Sequence, residues 1–277
     1  MPQTNRQWIL KGRPDGMVDP SLFELREVPI PPLENGQVRA KTLFLSFDPT
    51  QRMWMSKDTY MPIVPLGQPM RAVLTAQVIE SKHRKYKPGD MVNGLAAWEE
   101  FVSFSPDKEE TPPSKLPGHL DPALTLALAG TGLTAYFGLL EVGKPKAGDT
   151  VLVSGAAGAT GSIVGQIAKL KGCRVIGIAG GPEKCAWITD KAGFDAAIDY
   201  KAERLNQRLA ELCPKGIDLF FDNVGGDVLD AALANLARRG RVVISGAIAG
   251  YNEKVPPPGP RNYLSLLVQR GRMEGFF

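Results

Sequence analysis

Gly155, Gly158 and Gly161 are the residues whose types and spacing most directly suggest chemistry in this chain. They follow the apolar run Val151–Ser154 and lead into Ser162–Lys171, where apolar residues recur at helical spacing. Glycine lets a strand-to-helix turn close tightly and lets backbone approach a ligand. The unpaired N–H groups at the start of the following helix then face an anion. The spacing G-x-x-G-x-x-G is a variant of the G-x-G-x-x-G dinucleotide fingerprint, and it stands in the strand–turn–helix context that cradling a diphosphate requires. The competing reading is a glycine-rich turn without a ligand. Three glycines with no evident packing reason weigh against it, because each costs conformational entropy. Gly155, Gly158 and Gly161 are therefore expected at a pyrophosphate.

Which dinucleotide binds depends on the end of the next strand. An NAD site places a carboxylate there for the ribose 2′-hydroxyl. Here the strand Arg174–Ala179 runs into Gly180, Gly181 and Pro182, and the first acid, Glu183, is followed by Lys184. A lysine suits a 2′-phosphate. Lys184 therefore favours NADPH, Glu183 leaves NAD open, and a merely solvated Lys184 is the bland alternative.

These residues need a scaffold, and the chain has two textures. Up to about Leu120 it is rich in Pro, Gly and β-branched or aromatic runs. Val38–Ser46, Ala72–Glu80, Met91–Gly94 and Trp98–Phe104 read as strands, with a turn at Lys87–Asp90. A small, mostly antiparallel β barrel or sandwich is expected. Beyond Asp121, helical stretches at Pro122–Leu128 and Leu133–Leu140 precede a strand–helix alternation. Strands are expected at Val151–Ser154, Arg174–Ala179, Ala197–Asp199, Ile217–Asp222, Arg241–Gly246 and Arg272–Phe277. Helices are expected at Ser162–Lys171, Glu183–Ala192, Glu203–Cys213 and Val228–Arg238. Short buried strands alternating with helices imply an α/β, doubly wound parallel sheet. The stretch 256–260 reads as an extended loop.

Bulk properties narrow the function classes. At 277 residues the chain can hold two domains, here 1–122 and 123–277. No uninterrupted apolar run approaches the ~20 residues of a membrane span. The polar N-terminus does not resemble a secretory signal, so a cytoplasmic protein is expected. The net charge of +4 is interspersed rather than striped, which argues against a nucleic-acid partner. The densest basic patch, Lys82–Lys87, reads as a solvated loop. Three cysteines and two histidines form no C-x-x-C or H-x-x-x-H pair, so no local zinc site is expected. Cys173 and Cys185 read as packing residues, and His83 and His119 receive no role. Trp54 and Met55 read as an apolar wall or core.

The stretches Thr131–Gly138, Gly155–Gly165, Phe221–Gly226 and Gly246–Asn252, together with Leu45–Pro49 and Arg272–Phe276, resemble the medium-chain dehydrogenase/reductase superfamily. The similarity is greatest to its zinc-independent branch of prostaglandin, alkenal and curcumin reductases. The resemblance implies a GroES-like catalytic domain followed by a Rossmann domain. It implies NADPH as cofactor, with Gly158, Ala159, Thr160 and Gly161 at the pyrophosphate and Lys184 and Tyr200 at the 2′-phosphate. It further implies Asn223 beside the cofactor, and Gly246, Ala247, Tyr251, Phe276 and Phe277 at the nicotinamide end. The Cys and Gly-His-Glu positions of the zinc-binding branch have no counterpart. Such enzymes usually continue into a segment that returns to the N-terminal domain and carries an Asn-x-Gly-Lys contact; the sequence ends at Phe277, before it.

The implied activity is reduction of the C=C bond of an α,β-unsaturated ketone or aldehyde, with hydride delivered to the β carbon and charge developing on the carbonyl oxygen. A hydrogen-bond donor is then needed at that oxygen. Tyr251 is the candidate, and Tyr60 matches a tyrosine at the substrate mouth. Loop-holding or rim roles remain open for both. Quinone reduction and a catalytically impaired nucleotide-binding fragment are the rival functions, and a homodimer is common in this family.

Overall fold

The computed structural model describes residues 4–118, 120–255 and 257–277; His119 and Pro256 lie outside them. The chain divides into two compact units, Met1–Gly130 and Thr131–Phe277.

In the first unit a two-stranded antiparallel ribbon, β1 (Thr4–Leu10) and β2 (Phe23–Pro29), accompanies a five-stranded sheet. The sheet follows from β3 (Val38–Leu45), a short α1 (Thr50–Trp54), β4 (Arg71–Ser81), β5 (Met91–Ala97), β6 (Phe101–Phe104) and β7 (Ser114–Lys115). Its order is β6-β3-β4-β5-β7, with every pair antiparallel. Period-two alternation explains the burial: Val38 and Ala40, Leu74, Ala76 and Val78, Val92, and Val102 and Phe104 point into one core. The expected turn forms at Lys87–Asp90, where the Asp90 carboxylate accepts the Lys87 amide at 2.8 Å. The unit ends in α2 (Pro122–Ala127), whose first turn is capped by Asp121, accepting from Leu124 N at 2.8 Å.

Sequence patterning missed β1 and β2. Their residues alternate poorly because β2 is charged and largely exposed. What fixes β1 is polar: Asn5 and Gln7 side chains donate to the Glu99 carboxylate at 2.9 and 2.7 Å. Burial pushes the Glu99 carboxyl above the usual range, against those hydrogen bonds. His83, expected in a solvated loop, is buried, its Nε2 3.1 Å from Asp107 Oδ2, while Arg84, Lys85 and Lys87 around it are exposed. Trp54 and Met55 are buried with Leu10, Val64 and Met70.

The second unit carries α3 (Leu133–Phe137), β8 (Thr150–Ser154), α4 (Ala159–Leu170), β9 (Arg174–Ala179), α5 (Pro182–Asp190) and β10 (Ala196–Asp199). The alternation continues with α6 (Leu205–Leu212), β11 (Ile217–Asp222), α7 (Gly226–Ala234), β12 (Leu236–Ile244), α8 (Leu264–Gln269) and β13 (Arg272–Gly275). The six strands are all parallel in the order β10-β9-β8-β11-β12-β13, the doubly wound sheet the sequence implies. One core cluster gathers Val151, Val153, Val164, Val175, Phe194, Leu219 and Phe221. A second gathers Leu152, Ile176, Ile198, Phe220, Leu233 and Val242. Adjacent strand residues thus feed opposite clusters, as expected of strands buried on both faces.

Three expectations shift. The helix expected over Val228–Arg238 stops at Ala234, because Asn235 closes it with Nδ2 donating to Ala231 O at 2.9 Å and Leu236 already pairs with Ile217. The strand expected to reach Gly246 ends at Ile244, where Ser245 and Gly246 amides turn to Asp222 O at 2.8 and 3.1 Å. Finally, the helical run Pro122–Gly143 is 22 residues long and holds an 18-residue window of mean hydropathy 1.6, enough to cross a membrane by length and composition alone. Glycines at 130, 132, 138 and 143 hid that run from a search for uninterrupted apolar residues. Within the second unit, Ala135 and Leu139 of this run belong to the buried core beside Phe221.

Candidate dinucleotide site

The carboxyl ends of β10, β9, β8, β11 and β12 form one margin of the parallel sheet, the margin where ligands bind in this class of fold. At its centre, the chain leaves β8 through Gly155 at φ +58°, a left-handed conformation that favours glycine. Ala156 N donates to Ile178 O at 3.0 Å and Gly158 N to Gly155 O at 2.9 Å, which pins the turn on β9. Gly158 then caps α4 without any side-chain hydrogen bond. Among the described residues, the amides of Ala159, Thr160 and Gly161 have no acceptor in the protein, so three donors at the positive end of a helix dipole remain for a ligand. Gly161 sits so close to the turn that a Cβ there would lie 2.4 Å from Gly155 O and 2.9 Å from Ala156 Cα. The packing reason that the sequence did not reveal is therefore real, and it serves to bring helix head and turn together. This cradle fits a diphosphate.

Toward β10, the second strand ends in Gly180 and Gly181, and Lys184 stands in the exposed first turn of α5. Tyr200 follows β10 directly, its amide donating to Ala179 O at 3.2 Å, and half of its surface is exposed. Tyr200 and Lys201 crowd Gly180: a Cβ there would meet the Tyr200 ring at 2.8 Å and Lys201 Cε at 3.0 Å. Lys184 and Tyr200 thus share the β9–β10 end of the margin with Lys201, which the sequence reading overlooked. The organiser of this corner, also overlooked, is Asp199. Its Oδ1 accepts the amides of Gly181 at 2.9 Å and Lys201 at 3.0 Å. Those bonds hold the Asp199 carboxyl below its ordinary value. A depressed folded value means that the contribution is complete above the unfolded value of roughly 3.9 and is lost as pH falls through the lower folded value. Thermal melts from pH 6 down to pH 2 should therefore show the wild type losing stability relative to Asp199→Asn at the acid end. Parallel pH curves would remove Asp199 from this role.

Lys184→Ala should raise the Kd for NADPH about tenfold, the loss of one charge-assisted hydrogen bond of roughly 1.5 kcal/mol, and leave NADH nearly unchanged. Titration of both nucleotides checks this, and equal losses would contradict it.

On the other side of the cradle, a buried polar knot ties β8 to β11. Ser154 Oγ donates to Asp222 Oδ1 at 2.8 Å, Asn223 N donates to Ser154 Oγ at 2.8 Å, and Asn223 Nδ2 donates to Ser154 O at 2.7 Å. Asp222 Oδ1 also accepts Val224 N and Gly225 N at 2.9 and 3.0 Å. Asp222 is fully buried, and burial pushes its carboxyl above the usual range against these bonds. Asn223 thus commits its backbone amide and one side-chain N–H to the knot, with its Cβ 3.6 Å from where a Gly155 Cβ would be. Ser154 and Asp222 carry no local signal, because their role depends on partners 68 residues apart.

From β12 the chain crosses over this knot. Ile248 N donates to Asn223 O and Ala249 N to Val224 O at 3.3 and 3.0 Å, which fixes the loop carrying Gly246, Ala247 and Tyr251. The Tyr251 phenol oxygen accepts the Ala247 amide at 3.4 Å and lies 3.4 Å from where a Gly246 Cβ would be. Its O–H hydrogen remains to be donated. The Phe276 ring packs against the core, its centroid 6.3 Å from that of Phe221, and Phe277 is exposed. Tyr60 belongs to the first unit, where its hydroxyl lies 2.9 Å from Thr50 Oγ1 and its ring meets Trp54 edge-on.

Comparison with known proteins agrees with this arrangement. Residues 6–111 match the family model for the N-terminal domain of oxidoreductases, and residues 159–277 match that of zinc-binding dehydrogenases. Among the described residues, no group of three or more His, Cys, Asp or Glu side chains could hold a metal. The NADPH-dependent curcumin reductase of Escherichia coli (strain K12) is 41% identical over 99% of this chain and 80% of its own length. Prostaglandin reductase 1 of Rattus norvegicus is 42% identical over 98% and 81%. The crystal structure of CurA from Vibrio vulnificus in complex with NADPH superposes with a TM-score of 0.90 at 40% identity, covering 98% of this chain and 82% of that one. The chain belongs to the medium-chain dehydrogenase/reductase superfamily, in the branch of the curcumin and prostaglandin reductases.

Proposed function

We propose that this chain is an NADPH-dependent oxidoreductase that reduces the C=C bond of α,β-unsaturated ketones and aldehydes. The observation that carries this reading is the linear order of the site along one sheet margin. Lys184 and Tyr200 stand at the β9–β10 end, the amide cradle over Gly161 lies after β8, and Tyr251 is held beyond β11. That order suits an extended dinucleotide with its phosphorylated adenosine at one end and its reactive ring at the other. The NADPH-dependent relatives support the same assignment.

When bound, NADPH supplies a hydride for the β carbon of the substrate. The chain's own contribution is to hold the oxygen at which charge develops. Tyr251, fixed by the Ala247 amide, donates its O–H to the substrate carbonyl and stabilises the enolate that forms there. A proton from solvent completes the α carbon, so that a saturated ketone or aldehyde leaves. We place Tyr60 at the substrate mouth as a positioning residue.

We infer a cytoplasmic enzyme, the compartment in which Cys173, Cys185 and Cys213 stay as free thiols. We also infer a homodimer formed along β13, the exposed edge strand of the parallel sheet. Light scattering at the mass of one chain would contradict the dimer. The function itself is tested by following NADPH oxidation with acyclic enones beside quinones. Saturated ketone products are expected; quinone turnover with inert enones would overturn the proposal in favour of a quinone reductase.

A further inference from the structure

At the opposite margin of the parallel sheet lies a cleft of about 390 Å³ lined by Lys144, Lys146, Arg239, Arg241, Arg270 and Arg272. Register places it away from the cradle. Val151, near the start of β8, pairs with Leu219, Leu219 with Arg241, and Arg241 with Arg272, so the row crosses the sheet at the amino ends of its strands.

Two features distinguish the cleft. The first is charge. Arg241 pairs with Asp149, and Arg272 lies 3.8 Å from Glu274. Among the described residues, the side chains of Lys144, Lys146, Arg239 and Arg270 form no ion pair, and Arg241 Nε is buried without an acceptor. Six cations facing two paired carboxylates leave a surplus of four positive charges that repel one another across the cleft. The second is backbone. Among the described residues only Lys144, Arg239 and Arg270 are non-glycine residues with left-handed φ, at +50°, +64° and +54°, and all three line this cleft. Lys144 and Arg270 are the left-handed caps that close the helical stretches ending at Gly143 and Gln269, and Arg239 sits at an irregularity within β12, so three long cationic side chains stand where glycine is common.

We propose that this cleft is a second anion site, distinct from the dinucleotide site, that takes an oligophosphate chain. Two guanidinium groups are fixed at the cleft by neighbouring acids and carbonyls and supply positive charge at set positions. Arg241 donates to Lys144 O at 3.3 Å as well as to Asp149, and Arg272 donates to Val142 O. The unpaired lysines and arginines supply the remaining charge. A surplus of about four charges matches a triphosphate better than a single carboxylate or chloride.

The test is calorimetric titration of inorganic triphosphate into NADPH-saturated protein, with wild type beside an Arg239→Gly/Arg270→Gly double variant. Glycine relieves the left-handed backbone, so the variant should melt no lower than wild type and keep its NADPH affinity. Wild type is expected to bind one triphosphate, more weakly as salt rises, and the variant at least tenfold more weakly. ATP in a parallel titration separates a free phosphate chain from a nucleotide: equal affinities assign recognition to the phosphates. Triphosphate binding that vanishes when NADPH is added, equal binding by the variant, or binding of ATP without triphosphate would each overturn the proposal.

Discussion

Replacing Gly161 with alanine should weaken NADPH binding roughly ten- to a hundredfold while leaving a folded protein. The added methyl would sit 2.4 Å from Gly155 O and 2.9 Å from Ala156 Cα, contacts that no side-chain rotation can relieve because both partners are backbone. Helix head and turn must separate, at a cost of about 1–3 kcal/mol typical of overpacking. The separation moves the amides of Ala159, Thr160 and Gly161, which have to converge on one diphosphate. At ~1.4 kcal/mol per tenfold change, the whole cost appears in the Kd if the displaced turn is the binding element. Calorimetric Kd values for NADPH, with circular dichroism to confirm the fold, decide this. An unchanged Kd would mean that the turn does not hold the cofactor.

Replacing Tyr251 with phenylalanine should lower kcat for an enone by roughly a hundredfold, with little change in NADPH affinity. The ring stays, and only the hydroxyl that accepts from Ala247 N at 3.4 Å is lost. That bond is long, so its loss should cost the loop little. In the proposed reaction the missing O–H donor acts where charge appears on the substrate oxygen, and removing one such donor costs up to about 3–4 kcal/mol in oxyanion holes. An effect on NADPH affinity or stability alone, with kcat unchanged, would reduce Tyr251 to a loop-fixing residue. The separation of kcat from affinity therefore distinguishes the two roles.

Much of the second unit was legible because its signals are local. The strands Arg174–Ala179 and Ile217–Asp222 have the bounds their apolar runs imply. Gly155, Gly158 and Gly161 stand where a strand-to-helix turn needs them. The rest depends on pairings that no local pattern encodes. Ser154 and Asp222 look like ordinary strand ends until parallel pairing of β8 and β11 sets them 2.8 Å apart. Asp199 reads as a strand terminus, yet it folds the corner around Gly181 and Lys201. In the first unit, β1 and β2 escaped because a charged, solvent-facing ribbon lacks the alternation by which strands are recognised. The cationic cleft was invisible for the same reason as the polar knot. Lys144, Arg239 and Arg270 lie in separate stretches of the chain, and only the sheet order brings them together.

Reduction at the carbon–carbon double bond is tested most directly by turnover of an acyclic enone with NADPH deuterated at the transferable nicotinamide C4 position, followed by NMR of the product. Deuterium on the β carbon of a saturated ketone is the expected result. Deuterium on the alcohol-bearing carbon of an allylic alcohol would contradict it.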